Sequence, residues 1–272
     1  MPESGSIDAP TLAALVREGD ILDDLVEHLP AEQWTTPTPA KGWTIAHQIA
    51  HLAWTDDAAT AALSSTVDDG PFLGYLEAAA ADPAGLPDRT AAEGAAATPA
   101  DLLARWRRGR AVLADHLSAA VRDAPTQRFP WFGPPMGARS MATARLMETW
   151  AHGQDVADAL GVIRPVSDGL RDIAHLGIAT RDFAYAINNI TPPETAFRIE
   201  LTAPDGEVWT WGPDDGSAGE SVRGPALDFC LLVTQRREPE DLALEIDGDE
   251  AQQWVSIAQA FAGPPKKIMR AR

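Results

Sequence analysis

The chain has 272 residues, 45% of them hydrophobic, which is ample for a packed core and fits two domains better than one. Its 22 basic and 40 acidic residues give a net charge of −18, which repels phosphate backbones and argues against nucleic acid as a partner. No apolar run reaches the roughly 18 residues of a membrane span, no basic-then-apolar leader opens the chain, and the one cysteine, Cys230, closes no internal disulfide; the expectation is a soluble cytoplasmic protein.

From Asp8 to Leu29 the residues Leu12, Leu15, Val16, Leu22, Leu25, Val26 and Leu29 recur at helical spacing, and Pro30 closes the helix. After the loop TTPTPAKG, Thr44 is placed to cap a second helix that runs past Ala58. The Ala-, Gly- and Pro-rich stretch from Pro83 to Ala97 reads as a long loop with at most a short helical piece. Thr98-Pro99-Ala100-Asp101 supplies an N-cap, a proline in the first turn and an acid at N3, opening a third long helix to about Ala120. QRFPWFGPPMGARS is a proline-stiffened loop, and a fourth helix covers about Ser140 to Leu160, with Gly161 just past its end. Four long helices joined in this way read as an up-and-down bundle.

Pro165 blocks continuation, and Ser167 is placed to cap a further helix to about Asn189. Beyond Pro192-Pro193 the period becomes two: Phe197, Ile199 and Leu201 alternate with polar residues, and Asp205-Gly206 turns the chain into Glu207–Trp211 as a hairpin. Pro225 to Gln235 reads as a helix, Leu242–Ile246 as a strand and Glu250 to Ala262 as a final helix, while the basic tail PPKKIMRAR reads as a poorly ordered terminus. The fold class read from this pattern is α+β, with a helical bundle over residues 1–165 and a helix plus a small α+β domain over residues 166–272.

The chain lacks a phosphate loop, a strand-linked GxGxxG and a GxSxG, and Cys230 sits in the apolar run FCLLV as a core thiol. The chemistry therefore falls to histidines and carboxylates. His47 and His51 are four apart on the second predicted helix, and Glu148 and His152 are four apart on the fourth; this spacing stacks two side chains on one helix face. Imidazole nitrogen with carboxylate oxygen suits zinc or another divalent transition ion. About one such pair is expected by chance in ordinary composition, and Asp24/His28 is a third that reads as a solvated face. The fourth helix carries a polar stripe of Arg145, Glu148, His152 and Asp155 opposite Leu146, Trp150 and Ala157. Either the stripe faces inward, where its charges need partners or a metal, or it faces water.

Two stretches, GWTIAHQIAHLAWTDDAA and RSMATARLMETWAHGQDVADALG, resemble the mycothiol-dependent maleylpyruvate isomerase-like proteins of the DinB-like metalloprotein superfamily. The first carries a tryptophan eight residues before a His-Leu pair, and the second carries Glu-x-x-x-His-Gly-Gln-Asp, the more specific of the two. VRGPALDFCLLVTQRR and WVSIAQAFAGPP are similar to the small second domain of that family's actinobacterial branch. The resemblance implies a DinB-like four-helix bundle holding a divalent metal, typically zinc, through His51, Glu148 and His152. His47 falls outside that triad and is open to three readings: a supporting residue, a fourth ligand or a partly buried polar side chain. The resemblance further implies mycothiol as cosubstrate, with a small electrophile as the other reactant, and points to Arg236, beside Arg237, as an anion-contacting residue. Asp155, one turn beyond His152, is placed to accept the ring N–H that does not bind metal, or to face solvent. Trp43, Trp54, Trp131 and Phe132 are candidates to line an apolar pocket or simply to pack the core.

The function expected is metal-dependent thiol activation for S-transfer or isomerisation, with no nucleic-acid or membrane partner, in a monomer or homodimer. The alternatives are a non-catalytic metal or small-molecule binding protein, and a hydrolase using metal-bound water with Asp155 or His47 as base.

Overall fold

The computed structural model describes residues 8–214 and 219–263. The basic tail PPKKIMRAR lies outside the described residues. The chain divides into two compact units, one ending at Ser167 and the other beginning at Asp168.

In the first unit four long helices form the bundle: α1 (Asp8–Val26), α2 (Ile45–Leu63), then α3 (Leu73–Ala81) and α4 (Leu86–Ala95) as short connectors, α5 (Pro99–Asp123), and α6 (Ala138–Leu160). Helix α1 packs on α6, and α2 packs on α5, α4 and α6. A two-residue ladder of β1 (Arg128–Phe129) with β2 (Met136–Gly137) pins the proline-rich loop before α6. Helix α5 starts as its sequence dictates, with Thr98 Oγ1 accepting the Asp101 N–H at 3.2 Å and Pro99 where a missing N–H costs nothing. Helix α6 stops at Gly161, whose φ of +66° is the left-handed turn that glycine adopts without penalty.

The stretch read as a loop from Pro83 to Ala97 is instead largely helix α4. Its alanines are strong helix formers and Pro87 falls in the first turn, where proline is tolerated. Helix α4 docks closely on α2, because a side chain at Gly94 would stand 2.8 Å from Ala50.

Two apolar clusters divide the bundle along its length. One joins Leu22, Ile45, Ile49, Leu52, Trp106 and Val156; the other joins Ala58, Ala62, Phe72, Leu113, Leu117 and Met141. The polar residues His51, Thr55 and Asp56 of α2 and Arg145, Glu148, His152 and Asp155 of α6 are interspersed with these apolar positions, and the polar stripe of α6 faces inward: Arg145, His152 and Asp155 are all buried.

The second unit begins with α7 (Leu170–Ala179) and α8 (Arg181–Ile187), two helices where one was expected, separated at Thr180, whose hydroxyl bonds back to the Leu176 carbonyl. Strand β3 (Arg198–Thr202) pairs antiparallel with β4 (Val208–Trp211), the hairpin turning at Asp205-Gly206. Strand β5 (Ser221–Pro225), a stretch to which the sequence reading assigned no strand, lies parallel to β3 with Val222 opposite Ile199. Helix α9 (Ala226–Val233), β6 (Glu245–Asp247) and α10 (Asp249–Ile257) complete the unit, and the sheet order is β4-β3-β5-β6. Strand and helix near the C-terminus are both shorter than read: Pro239–Asp241 forms a 3-10 turn before β6, and the chain is extended from Ala258. Ile199, Leu201, Val222, Phe229 and Trp254 form buried parts of this unit.

Candidate metal centre

The start of α2 explains His47. Thr44 is extended, its N–H donates to His47 Nδ1 at 3.3 Å, and its hydroxyl lies 2.8 Å from the same nitrogen. His47 thus occupies the position where Glu or Gln usually closes a capping box. Of the two histidines four residues apart, only His51 joins the carboxylate site.

His51 from α2 and Glu148 and His152 from α6 bring one possible ligand atom each to within 4.8 Å of one another. Glu148 Oε2 lies 3.1 Å from His152 Nε2 and 3.8 Å from His51 Nε2, and the two imidazole centroids are 4.7 Å apart. Burial opposes charge on Glu148, yet the two neighbouring histidines hold its carboxyl well below the usual carboxylate range. His51 Nδ1 is buried and has no hydrogen-bond partner among the described residues. Two imidazoles and an ionised carboxylate, one imidazole short of partners, are a donor set that suits a divalent transition ion.

Behind His152 stands a residue that the sequence reading passed over. Gln48 is fully buried on α2, and its Oε1 is 2.5 Å from His152 Nδ1. Its Nε2 donates to Thr38 Oγ1 at 2.8 Å, and the Thr38 hydroxyl donates to the Trp43 carbonyl at 3.1 Å. The sequence did carry a signal, because Gln48 interrupts the apolar stripe of Ile45, Ile49 and Leu52. Asp155, read either as the acceptor of the ring N–H that does not bind metal or as a solvent-facing acid, is buried with its Oδ2 4.0 Å from His152 Nδ1, farther than the Gln48 oxygen.

Trp43 flanks both imidazole rings. It stacks on His152 with centroids 5.9 Å apart, tilts against His51 at 5.2 Å, and donates its Nε1–H to Asp88 of α4 at 2.7 Å. The other aromatics form a separate cluster in which Trp54 stacks on Phe132, and Trp131 stacks on the fully buried Phe72. Trp131 and Phe132 pack against the second apolar core. A cavity of about 370 Å³ opens elsewhere, between α1 and α5, with Trp106, Arg107 and Arg110 in its wall and Asp56 and Thr149 reaching it from α2 and α6.

Gly153 and Gln154 of the His-Gly-Gln-Asp run make structural contacts. A side chain at Gly153 would stand 3.1 Å from the Arg164 guanidinium, which donates to the Trp150 carbonyl and pairs with the buried Glu18. Gln154 donates to Asp158 one turn on. In the second unit α9 ends with Gln235 in a left-handed conformation, and the Arg236 N–H bonds back to Leu231 O. Arg236 Nη1 donates to the Thr234 carbonyl at 2.6 Å, so this side chain helps to satisfy the end of its own helix. Arg237 Nη1 donates to Arg236 O.

A family model described as the mycothiol maleylpyruvate isomerase N-terminal domain matches residues 15–157, just over half of the chain. The chain belongs to this family. All three residues of the cluster, and Gln48 behind them, fall within the matched span. Two other members of similar length, the uncharacterized proteins Rv0036c and MT0041 from two strains of Mycobacterium tuberculosis, are each 56% identical over 256 residues, covering 94% of this chain and 96% of theirs. The crystal structure of a mycothiol-dependent maleylpyruvate isomerase is similar in fold, with a TM-score of 0.60 at 16% identity over 86% of this chain and 91% of that one. A mutant of that enzyme matches equally, over 85% and 90%. The fold found here is therefore that of the maleylpyruvate isomerase structure. A second family model, for wyosine base formation, matches residues 193–245 in the second unit. No helix among the described residues is long and apolar enough to cross a membrane.

Proposed function

We propose that this protein is a divalent-metal-dependent enzyme that activates a low-molecular-weight thiol, mycothiol, for reaction with a small electrophile. The observation that carries the reading is the convergence of His51, Glu148 and His152 within 4.8 Å, in a bundle that belongs to a family named for a mycothiol-dependent isomerase. Zinc is the proposed ion, held by these three side chains, and three protein ligands leave a coordination position for an exogenous group. An ion held by these residues would lower the pKa of a bound thiol and so supply a thiolate near neutral pH.

The chain's own residues set the conditions. Glu148 stays ionised beside its histidines, and Trp43 stacks on the His152 ring and tilts against that of His51. Asp155, buried 4.0 Å from His152 Nδ1, adds negative charge that favours electron donation by that ring. Arg236 is proposed to pair with a carboxylate of thiol or substrate, since its planar fork binds carboxylates bidentately. Addition of the thiolate to one carbon of a polarised double bond, rotation about the resulting single bond and expulsion of the thiolate would give isomerisation, whereas protonation of the adduct carbanion from solvent and release of the thioether would give S-transfer. A cytoplasmic setting, where such a thiol stays reduced, is proposed with it.

The test is thiol consumption and electrophile isomerisation with purified protein, with and without a chelator. Turnover that the chelator abolishes and added zinc restores supports the reading. A zinc-loaded protein no faster than buffer overturns it. Arg236→Lys, which keeps a cation at the helix end, raises KM with stability unchanged; an unchanged KM removes Arg236 from the proposal.

A further inference from the structure

We infer that Gln48 is a positioning residue for the metal centre: its side-chain oxygen keeps a proton on Nδ1 of His152 and so leaves Nε2 of that ring as the donor atom beside Glu148. The inference rests on the reading of His51, Glu148 and His152 as ligands.

The direction of every hydrogen bond in the chain is set from its far end. The Trp43 carbonyl only accepts, so the Thr38 hydroxyl, 3.1 Å away, donates to it. The Thr38 oxygen then accepts, and the group 2.8 Å from it is the Gln48 NH₂. This fixes the Gln48 amide, whose oxygen faces His152 Nδ1 and requires a proton there. The opposite amide orientation would put the Gln48 NH₂ against Nδ1 and the ring proton on Nε2, pointing at Glu148, where no lone pair would remain for a cation. Gln48 is fully buried, so water does not substitute for it. The loop that carries Thr38 and Trp43 is itself braced, with Thr38 N–H donating to Trp43 O at 2.9 Å and Ile45 N–H to Thr36 O at 3.1 Å. Trp43 therefore acts twice on His152, through its ring face and, by way of Thr38 and Gln48, through the ring's remote nitrogen.

The test uses the full chain labelled with ¹⁵N-histidine, titrated with zinc against a chromophoric chelator. Gln48→Met keeps the length of the side chain and removes the acceptor; zinc affinity is expected to fall about 10- to 100-fold. Gln48→Glu keeps an acceptor oxygen toward Nδ1 and is expected to stay within a few-fold of wild type or to bind more tightly. In the zinc-loaded wild type the ¹⁵N spectrum should show His152 protonated at Nδ1, with a slowly exchanging proton that exchanges faster in Gln48→Met. A general packing role predicts equal damage from both substitutions and no change in proton exchange. Unchanged affinity in Gln48→Met, or a wild-type His152 bound to zinc through Nδ1, overturns the assignment alone. If Gln48→Met does not fold, the wild-type spectrum decides. Failure of the wild type to bind zinc overturns the triad reading itself and the assignment with it.

Discussion

Arg145 and Asp56 form a buried ion pair that ties together the two helices carrying the candidate ligands. Arg145 Nη2 and Nε lie 3.0 and 3.1 Å from Asp56 Oδ1, with both side chains almost wholly enclosed. Arg145 stands one turn before Glu148 on α6, and Asp56 stands just over one turn beyond His51 on α2. The pair thus joins α2 to α6 close to where His51 meets Glu148. Asp56→Asn leaves the guanidinium charge buried and uncompensated and should cost about 3–5 kcal/mol in denaturant unfolding. Replacing both partners, Asp56→Leu with Arg145→Met, should recover most of that loss. A single substitution costing under about 1 kcal/mol, the usual range for an exposed pair, would contradict this role.

A second ion cluster makes stability depend on acid. Asp23 of α1 takes hydrogen bonds from Arg107 and Arg110 of α5, the Arg107 Nε and Arg110 Nη2 contacts both at 2.8 Å. Burial alone would raise the Asp23 pKa, but the two guanidinium groups bring it below the ordinary 3.8. A carboxyl with a depressed folded pKa stabilises the fold above its unfolded pKa, and the contribution disappears as pH falls through the folded value. The stability gap between wild type and Asp23→Asn should therefore be full near neutrality and shrink below pH 3.8. A gap constant with pH in unfolding titrations would show that the charge plays no part.

The geometry ranks Gln48 above Asp155 behind His152, since the amide oxygen is in hydrogen-bond contact and the carboxylate is 4.0 Å away. Asp155→Asn, which removes only a neighbouring charge, should weaken zinc by less than Gln48→Met does in the same competition titration. The reverse order would mean that the carboxylate closes on the ring when an ion is bound.

The long helices were legible because their apolar stripes and end signals agree: the Thr98 cap and the left-handed Gly161 both stand where the sequence puts them. Helix α4 was not, because alanine with glycine and proline reads as loop until packing against α2 is known. Strand β5 escaped because its five residues pair in parallel with β3, about 23 residues away, and carry Gly and Pro at their end. At the site, spacing put Glu148 and His152 on one face, and they lie 3.1 Å apart. The same spacing treated His47 and His51 alike, although one caps a helix and the other meets Glu148. Gln48 and His152 are 104 positions apart, and no local rule joins them.

Elemental analysis of purified wild type, His152→Ala and His47→Ala tests the central claim most directly. One equivalent of a divalent ion in wild type and in His47→Ala, and essentially none in His152→Ala, is the predicted pattern, since the substitution removes one of three protein donors from the site. A full equivalent retained by His152→Ala, or lost from His47→Ala, would contradict the assignment of His51, Glu148 and His152 as the ligands.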